Sequence, residues 1–399
     1  MKAQNIVIVG QQPWDTEIGS NCKNIAMEFA KWNTVLYVNS PLDRITKWRS
    51  SKSDPKILKR IKIIKHQENG LKKITDNLYE YYPDVLLESI NWIPMDTIFD
   101  FLNCINNKRF AESIKTALQL LSFDSFILFN DSDMFRSYYL IELLKPKLSI
   151  YYSRDNMLAT DYFKKHGKKF EPKIIAKNNL CVANSAYLMK YCLQYNDKSF
   201  NIGQGCDLEI LNAVQSYKLP NEVIDKIGPK IGYVGVLTST RLDIELIQNI
   251  ALARPDWNIF LVGPEDEDFK KSRLHDVQNV YFLGAKPIKE LPAYIDAFNV
   301  CFNPQILNAL TIGNYPRKID EYLALGKPTI ATKTETMETF KQHVYLADDL
   351  NGYIIGIESL IKNNSEQAIE HRKSFAKSHT WENSVNSIYR AIDDTKLLT

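Results

Sequence analysis

Short apolar runs alternate along this chain with longer segments in which apolar residues recur every three or four positions. The runs hold four or five β-branched, aromatic or aliphatic residues bounded by Gly, Pro or Asn, a pattern typical of buried parallel strands. The runs of the first half are Asn5–Val9, Thr34–Val38, Ser125–Phe129, Leu148–Tyr152 and Leu180–Asn184. Those of the second half are Lys230–Val234, Asn258–Val262, Asn279–Leu283, Val300–Asn303, Pro328–Ala331 and Val344–Ala347.

The segments between the runs have a helical period, as in Ile244, Ile247 and Ala251. Alternating strands and helices predict an α/β protein with two Rossmann-like, doubly wound parallel sheets. With 399 residues, the chain is long enough for two domains. We place them at residues 1–205 and 206–380, followed by a helix in 381–399 that packs toward the first domain. Ligands of such sheets bind beyond the carboxyl ends of the strands, so we expect a site in a cleft where the domains face each other.

Composition is that of a globular protein, with 45% hydrophobic and 24% charged residues. A net charge of only +3 argues against a general nucleic-acid binder on electrostatic grounds. The apolar run Ile6–Gly10 is too short for a signal peptide, and no run is long enough to span a bilayer. Six cysteines without metal-ligand spacing indicate reduced thiols in a cytoplasmic protein. Histidines also lack ligand spacing, and we expect His166 and His343 to be ordinary surface or loop residues.

One segment is strongly basic. Residues 44–73 hold eleven Lys and Arg against Asp54 and Glu68, and Trp48, Leu58 and Ile61 are interspersed among them. Basic residues mixed with such apolar ones can lie on an anionic membrane surface. A solvated basic face is an equally good interpretation.

The segment Tyr315–Ala331 predicts a short helix followed by a strand. Pro316 suits the first helical position, and Gly326 suits the left-handed residue just past the end. Lys318 and Glu321 are then one turn apart on one face. The lysine could pair with a phosphate near the helix N-terminus, and the carboxylate could accept both hydroxyls of a ribose. A solvated Lys–Glu pair is the alternative interpretation.

Glycines follow several strands of the second half, at Gly235, Gly263 and Gly284. Glycine lets backbone amides approach a ligand closely, as phosphate sites require, although a glycine after a strand is often only a turn. Arg241 follows the first of these turns and adds a cation.

The second half of the chain contains four segments, in the expected order, that resemble the group 1 glycosyltransferases of the GT-B superfamily. The matching segments are IGYVGVLTSTRLDIELI, RPDWNIFLVGPE, NVYFLGAKPIKELPAYIDAFNVCFNP and PRKIDEYLALGKPTIA. The first half resembles the same bacterial surface-polysaccharide enzymes through VLYVNSP, IYYSRDN, VANSAYL and IGQGCDLEIL. The resemblance implies that residues 1–205 bind an acceptor, that 206–380 bind a nucleotide sugar, and that the helix in 381–399 crosses back to the first domain.

The resemblance also implies roles for individual residues on the donor side. Glu321 would hold the nucleotide ribose, while Lys318 and Arg241, helped by backbone amides, would neutralise the donor diphosphate. Gly235 lies in the loop that passes close to the diphosphate, and Gly263 and Leu283 border the base pocket. The donor-contacting positions are therefore Gly235, Arg241, Gly263, Leu283, Thr311, Lys318 and Glu321.

On the acceptor side, Asp155 matches an acidic position of the family and is the candidate general base or acceptor contact. Trp14 could stack on a sugar ring with Asp15 bonding its hydroxyls, or Trp14 could be a buried anchor of its loop. Asp131 begins an Asp-Ser-Asp sequence, which could hold a metal–diphosphate pair, cap a helix or contact the acceptor. Because a complete nucleotide-type domain follows, we expect capping or acceptor contact and no metal.

Two positions depart from the family pattern. Many retaining members carry a Glu-x7-Glu pair, but Gly313 stands where the first glutamate would be. The lysine usual near Arg241 is also missing, and Asp243 and Glu245 occur instead. Retention of configuration is favoured by the family, but these departures leave both the stereochemistry and the donor sugar open.

The sequence thus predicts a metal-independent hexosyltransferase without a cofactor, in the cytoplasm or peripheral on the inner face of the membrane. It would move a sugar from a nucleotide-diphosphate donor, with UDP favoured, to a hydroxyl of a lipid-linked glycan. Two alternatives remain: a nucleotide-sugar epimerase of the same architecture, and a nucleotide-sugar-binding protein without turnover.

Overall fold

The computed structural model describes residues 1–16, 20–49, 54–206 and 217–397. The chain forms two compact units, of which the first comprises Met1–Gly203 and Ser384–Thr399 and the second comprises Gln204–Asn383. Residues 50–53 of the basic segment lie outside the described residues, as do residues 207–216 near the predicted domain boundary.

The first unit contains an eight-stranded sheet in the order β10-β9-β8-β7-β1-β2-β5-β4. Its neighbours pair in parallel, except that β4 is antiparallel to β5. A separate parallel pair joins β3 and β6. The strands are β1 (Asn5–Val9), β2 (Thr34–Val38), β3 (Leu42–Asp43), β4 (Leu71–Thr75), β5 (Leu78–Tyr81), β6 (Leu86–Leu87), β7 (Ile127–Asp131), β8 (Leu148–Ser153), β9 (Leu180–Ala183) and β10 (Ser199–Asn201).

Helices of the first unit connect these strands and cover the sheet. Many begin at a side-chain cap, as at Ser20, whose hydroxyl accepts from the Lys23 amide. The helices are α1 (Asn21–Ala30), α2 (Arg44–Arg49), α3 (Pro55–Ile64), α4 (Asp96–Leu120), α5 (Leu140–Leu144), α6 (Asp161–Lys177) and α7 (Ala186–Leu193).

The second unit contains a six-stranded, fully parallel sheet in the order β13-β12-β11-β14-β15-β16. This is the strand order of a Rossmann fold. Its strands are β11 (Lys230–Val234), β12 (Asn258–Val262), β13 (Val280–Gly284), β14 (Val300–Asn303), β15 (Thr329–Thr332) and β16 (Tyr345–Ala347). Its helices are α8 (Asn221–Ile224), α9 (Ile244–Ala253), α10 (Glu267–Lys270), α11 (Leu291–Ala297), α12 (Lys318–Ala324), α13 (Leu350–Lys362) and α14 (Glu366–Lys377). A last helix, α15 (Trp381–Asp394), starts in the second unit and continues into the first.

The eleven predicted strands are all present, because runs such as Ile259, Phe260 and Leu261 are fully buried between helices on both faces. The run Ser125–Phe129 is displaced, and β7 instead occupies Ile127–Asp131. Five strands have no counterpart among the predicted runs, because they are short or carry charged residues; they are β3, β4, β5, β6 and β10.

Each sheet has a point at which the strand order reverses. In the first unit this point lies between β1 and β7, and in the second it lies between β11 and β14. Ligands of doubly wound sheets bind beyond the carboxyl ends of the strands at such a point. The candidate residues of each unit follow these strand ends.

The final helix packs onto the first unit through Tyr389. Its ring lies 5.7 Å from that of Phe29, and its hydroxyl accepts a hydrogen bond of 3.0 Å from Asn33 Nδ2. Within the described ranges, no helix combines the length and the apolar character needed to span a membrane.

The expectation for His166 is wrong. His166 is buried, stacks on Phe99 at 3.9 Å between ring centroids, and contacts Asp96 Oδ1 at 2.8 Å through Nδ1. The lysines around it point outward, because the helix α6 turns only one face toward the core.

Candidate functional site

Three loops of the second unit meet at the carboxyl ends of β11, β12 and β14. The loop after β11 is tied to the β14 loop by the amide of Ile306, which donates to the Arg241 carbonyl at 3.0 Å. It is tied to the β12 loop by the amide of Ser239, which donates to Asp266 Oδ2 at 2.7 Å. These bonds hold Arg241 in a fixed turn. Asp243, which replaces a family lysine, caps α9 by accepting from the Leu246 amide at 2.9 Å.

Helix α12 is held against the end of β11 by Tyr322. The phenol of this fully buried residue accepts a hydrogen bond of 2.9 Å from the Val234 amide. Gly326, with a φ of +73°, ends the helix as the sequence predicts. The helix begins at Lys318 rather than at Pro316, so it has only seven residues. In so short a helix, the side chains rather than the dipole are the candidates for ligand contact.

Lys318 extends from the first residue of α12 onto Tyr233 of β11. Its ammonium lies 3.8 Å from the centroid of the Tyr233 ring and donates a hydrogen bond to the Tyr233 hydroxyl. Gly235 leaves the space beside this contact open, because a Cβ there would lie 2.8 Å from Lys318 Nζ. The φ of Gly235 is +146°, a conformation that side-chain-bearing residues rarely adopt.

Burial lowers the pKa of Lys318 from its usual 10.5 to about 7. The charge of Glu321 opposes this change and that of Arg241 adds to it, so all three side chains lie within electrostatic range of one another. A partly buried cation of this kind gains strongly from a multivalent anion, since the anion supplies the charge compensation that the protein leaves incomplete.

Other predicted donor contacts are placed differently. Gly263, with a φ of +148°, packs so tightly that a Cβ would lie 1.9 Å from the Gly235 carbonyl oxygen. Leu283 is partly buried on β13 and packs against the core. Thr311 is fully buried, and its hydroxyl bonds the Ile306 carbonyl and the Asn308 amide inside its own loop.

The expected help from backbone amides needs correction at two glycines. The amide of Gly235 donates to the Val262 carbonyl at 2.9 Å, and the amide of Gly263 donates to the Gly284 carbonyl at 2.9 Å. Both donors are therefore used within the fold. These two amides are not free for a ligand, and Lys318 and Arg241 stay candidates for contact with a diphosphate.

In the first unit, Asp131 and Asp155 are brought together by Arg154. Arg154 Nε donates to Asp131 Oδ1 at 2.7 Å, and its NH1 donates to Asp155 Oδ2 at 3.0 Å. Burial alone would lower the pKa of Arg154, but the two carboxylates raise it instead. Asp131 is fully buried, and its Oδ2 has no hydrogen-bond partner among the described residues. The cluster thus carries one more negative than positive charge at the carboxyl ends of β7 and β8.

The second aspartate of the Asp-Ser-Asp sequence is structural. Asp133 accepts hydrogen bonds from the amides of Phe135 at 3.2 Å and Arg136 at 2.9 Å, and it pairs with Arg136 Nε at 2.9 Å. Asp131 and Asp133 thus each pair with an arginine in the described chain. No cluster of three metal-ligating side chains occurs in the described part of the chain.

The loop after β1 carries Trp14 and Asp15. The Trp14 ring meets Tyr37 edge-on at 5.1 Å, and its backbone amide donates to Asn39 Oδ1 at 2.7 Å. Asp15 lies 3.7 Å from an Arg60 nitrogen. Trp14 is partly buried and anchors its loop, and Lys23 Nζ lies 5.1 Å from the centroid of its ring.

The predicted site residues did not include Tyr233, Arg154 or the pair formed by buried Asp320 and partly buried His379. His379 Nδ1 lies 2.6 Å from Asp320 Oδ1, which ties the back of α12 to the segment before α15. Burial raises the pKa of Asp320 although His379 opposes this change. An arginine directly before the candidate base was the available signal for Arg154, since an arginine after a buried strand requires carboxylate partners.

Two Rossmann-like units with candidate residues at their strand ends have the architecture of the GT-B fold. Residues 228–363 match the family model described as glycosyl transferases group 1. It is 26% identical over 250 residues to TuaH of Bacillus subtilis strain 168, which is assigned to teichuronic acid biosynthesis as a glycosyltransferase. That match covers 60% of this chain and 62% of the length of TuaH.

Solved structures support the fold over nearly the whole chain. Sucrose-phosphate synthase from Thermosynechococcus elongatus superposes with a TM-score of 0.68 at 13% identity, covering 99% of this chain and 100% of that one. Anabaena HepE in complex with UDP and glucose gives a TM-score of 0.64 at 13% identity, covering 98% and 100%. At these identities the likeness establishes the GT-B fold alone.

Proposed function

We propose that this protein is a glycosyltransferase that moves a sugar from a nucleotide-diphosphate donor to a hydroxyl of a growing glycan. The observation that carries this proposal is the Lys318 ammonium, partly buried on Tyr233 beside the side-chain-free Gly235. An arginine and a carboxylate lie within its electrostatic range. A solvated surface pair would have neither the depressed pKa nor the aromatic contact.

The donor diphosphate binds to Lys318 and Arg241. These two cations neutralise the charge that develops on the leaving nucleoside diphosphate, and this stabilisation lowers the barrier to departure of the sugar. Glu321 accepts hydrogen bonds from the ribose hydroxyls. Gly263 and Leu283 border the space for the base. We favour UDP, since HepE was solved with UDP and glucose. No cofactor takes part.

Asp155 is the proposed general base for the acceptor hydroxyl. Arg154 keeps this carboxylate oriented, and Asp131 fixes Arg154 in turn. Asp155 touches the reacting hydroxyl in this scheme, whereas Arg154 and Asp131 are positioning residues. Asp131 is fully buried and therefore acts on the acceptor only through Arg154, whereas Trp14 with Asp15 offers a ring face and a carboxylate to the glycan.

The acceptor is proposed to be a lipid-linked intermediate of a bacterial surface polysaccharide, as the assignment of TuaH to teichuronic acid biosynthesis suggests. The protein would then act in the cytoplasm, in peripheral contact with the inner face of the membrane that involves part of the basic segment 44–73. Retention of configuration is favoured by the family and is part of the proposal.

Labelled nucleotide sugars incubated with the protein and a membrane extract test the reaction. Transfer of label to the lipid fraction supports the proposal. An isomerised free donor would instead indicate an epimerase, and binding without either product would indicate a protein without turnover. A thermal-shift screen identifies the donor first, because a ligand that binds only the folded state raises the melting temperature.

A further inference from the structure

Helix α2 is unusual because none of its six residues is buried. Ile45 and Trp48 lie three positions apart and therefore share one side of the helix. Trp48 is 83% exposed, more than any other tryptophan among the described residues. A helix with no buried residue gains nothing from the core that would stabilise it, so its apolar side needs another partner.

Two further segments adjoin α2 through backbone and side-chain contacts. The amide of Ile45 donates to Ser89 Oγ at 2.9 Å, and Trp92 Nε1 donates to the Ser89 carbonyl at 2.9 Å. Lys165 Nζ of helix α6 in turn donates to the Trp92 carbonyl at 2.7 Å. These bonds join α2, residues 88–101 and residues 161–169 into one surface, which we call the aromatic face.

The aromatic face exposes large apolar side chains that no part of the described chain covers. Trp92 is 71% exposed and Phe101 is 68% exposed. The full set of exposed large apolar residues here is Ile45, Trp48, Trp92, Met95, Ile98, Phe101 and Tyr162. Contiguous exposed groups of this size mark an interaction surface rather than ordinary surface scatter.

Basic side chains surround these apolar ones. Counted over residues 42–49, 88–109 and 161–169, nine Lys and Arg stand against five Asp and Glu. Four of the five carboxylates are bonded within the fold, and an excess of four positive charges remains over these ranges. The bonded carboxylates are Asp43 with Ser89, Glu88 with Arg44, Asp96 with His166 and Asp100 with Tyr139.

We propose that the aromatic face docks on an anionic lipid bilayer, with the tryptophans and Phe101 in the headgroup region and the lysines against the lipid charges. Tryptophan is the side chain most suited to the boundary between headgroups and acyl chains. Added basic charge gives affinity for anionic lipid that falls with salt. The inference rests on the proposed lipid-linked acceptor, but it moves the membrane contact away from most of the basic segment 44–73.

The experiment is sedimentation of the full chain with vesicles of phosphatidylcholine, with and without phosphatidylglycerol. The variant Trp48→Ser, Trp92→Ser, Phe101→Ser should bind the anionic vesicles about tenfold more weakly or worse. The matched control Leu120→Ser, Ile227→Ser, Leu252→Ser removes three equally exposed apolar side chains elsewhere and should bind like the wild type. Unchanged melting temperatures confirm that both variants fold.

A second pair of variants separates the aromatic face from the wider basic segment. Lys47→Gln, Lys164→Gln, Lys168→Gln should lose the preference for anionic vesicles, whereas Lys62→Gln, Lys72→Gln, Lys73→Gln should keep it. Equal binding of the serine variant and the wild type overturns the proposal. No sedimentation of the wild type also overturns it, and the aromatic face would then be a surface for a protein partner. Because the assay needs no sugar donor, its failure and a failure of nucleotide binding are seen separately.

Discussion

The ammonium of Lys318 lies over the ring of Tyr233, 3.8 Å from its centroid, and bonds the phenol at the ring edge. The aromatic ring offers the cation a weak counter-charge but leaves it poorly solvated. Burial lowers the pKa of Lys318 to about 7 for this reason. Keeping the Lys318 ammonium poorly solvated destabilises the protein without ligand, and a bound anion compensates for this.

Lys318→Met should therefore have opposite effects on binding and stability. Loss of one charge-assisted contact to the diphosphate weakens nucleotide-sugar affinity by about a hundredfold. The empty variant should melt at a higher temperature than the wild type near pH 7, because the charge no longer has to be buried. Calorimetry and thermal melting measure the two effects. Lys333→Met, on an exposed lysine, is the control, and equal donor affinity in both variants would contradict the role of Lys318.

Donor binding should also depend on pH. Only the protonated Lys318 attracts the diphosphate, and its pKa in the empty protein is about 7. The dissociation constant should be flat below about pH 6 and should rise above pH 7 by up to about tenfold per pH unit. A nucleotide sugar is the right probe, since both its phosphates are esterified and keep their charge. The Lys318→Met variant should show no such rise, and a flat wild-type profile would exclude a titrating lysine.

In the absence of donor, the same pKa predicts how stability changes. The unfolded chain binds the Lys318 proton with the ordinary pKa of 10.5 and the folded chain with a pKa of about 7. Between these values the unfolded state holds more protons, so this residue makes stability rise with pH across that range. The difference in melting temperature between Lys318→Met and the wild type should shrink accordingly from pH 7 to pH 10.

Glu321→Ala should weaken nucleotide binding by about tenfold to a hundredfold. The carboxylate is proposed to accept two ribose hydroxyls, and hydrogen bonds to a charged group contribute about 1.5–3 kcal/mol. Calorimetry with UDP and with a UDP-sugar should show the same loss, because both carry the ribose. Glu338→Ala, at an exposed glutamate of the same unit, serves as the control. Unchanged affinity for UDP would show that Glu321 does not contact the ribose.

Asp155→Asn should reduce transfer by about a hundredfold to ten-thousandfold while donor binding stays near the wild-type value. The amide keeps the shape but cannot take the acceptor proton. Asp131→Asn should give a smaller loss with an altered pH profile, because it acts on Asp155 only through Arg154. Single-turnover rates measure both variants, and Asp76→Asn on a fully exposed aspartate is the control. A normal transfer rate for Asp155→Asn would show that another residue is the general base.

Chelation of divalent cations should leave transfer unchanged. Asp131 and Asp133, the only Asp-x-Asp pair suggested for a metal, are each paired with an arginine in the described chain. Rates measured in EDTA and with added Mg²⁺ or Mn²⁺ should agree. A rate that falls in EDTA and returns with one metal would show that a cation, rather than Lys318 and Arg241 alone, neutralises the leaving group.

The sequence predicted the parallel strands well because these strands are buried on both faces and read as continuous apolar runs. It failed for β4 and β5, where Lys72, Lys73 and Glu80 interrupt the apolar pattern of an antiparallel edge pair. The prediction that His166 lies on the surface was wrong for a similar reason. Its lysine neighbours dominate the local composition, while the buried face of α6 repeats only every three or four residues.

Site residues were predictable where one motif contains them, as with Lys318 and Glu321. The contact of Lys318 with Tyr233 could not be predicted, because 85 residues separate the two and only the pairing of α12 with β11 brings them together. Thr311 shows the opposite limit. The family resemblance indicates the position of Thr311 along the chain, but it does not show that the Thr311 hydroxyl is hydrogen-bonded within its own loop.

Because residues from Ser384 onward complete the unit that begins at Met1, the nucleotide-type unit is an insertion within the other. A fragment ending at Gly203 would lose Tyr389 and with it the contacts that Tyr389 makes with Phe29 and Asn33. Residues 204–383, by contrast, form an uninterrupted stretch. Attempts to express the halves separately should therefore succeed first with the inserted half, and the outer half will need its last helix spliced on after residue 203.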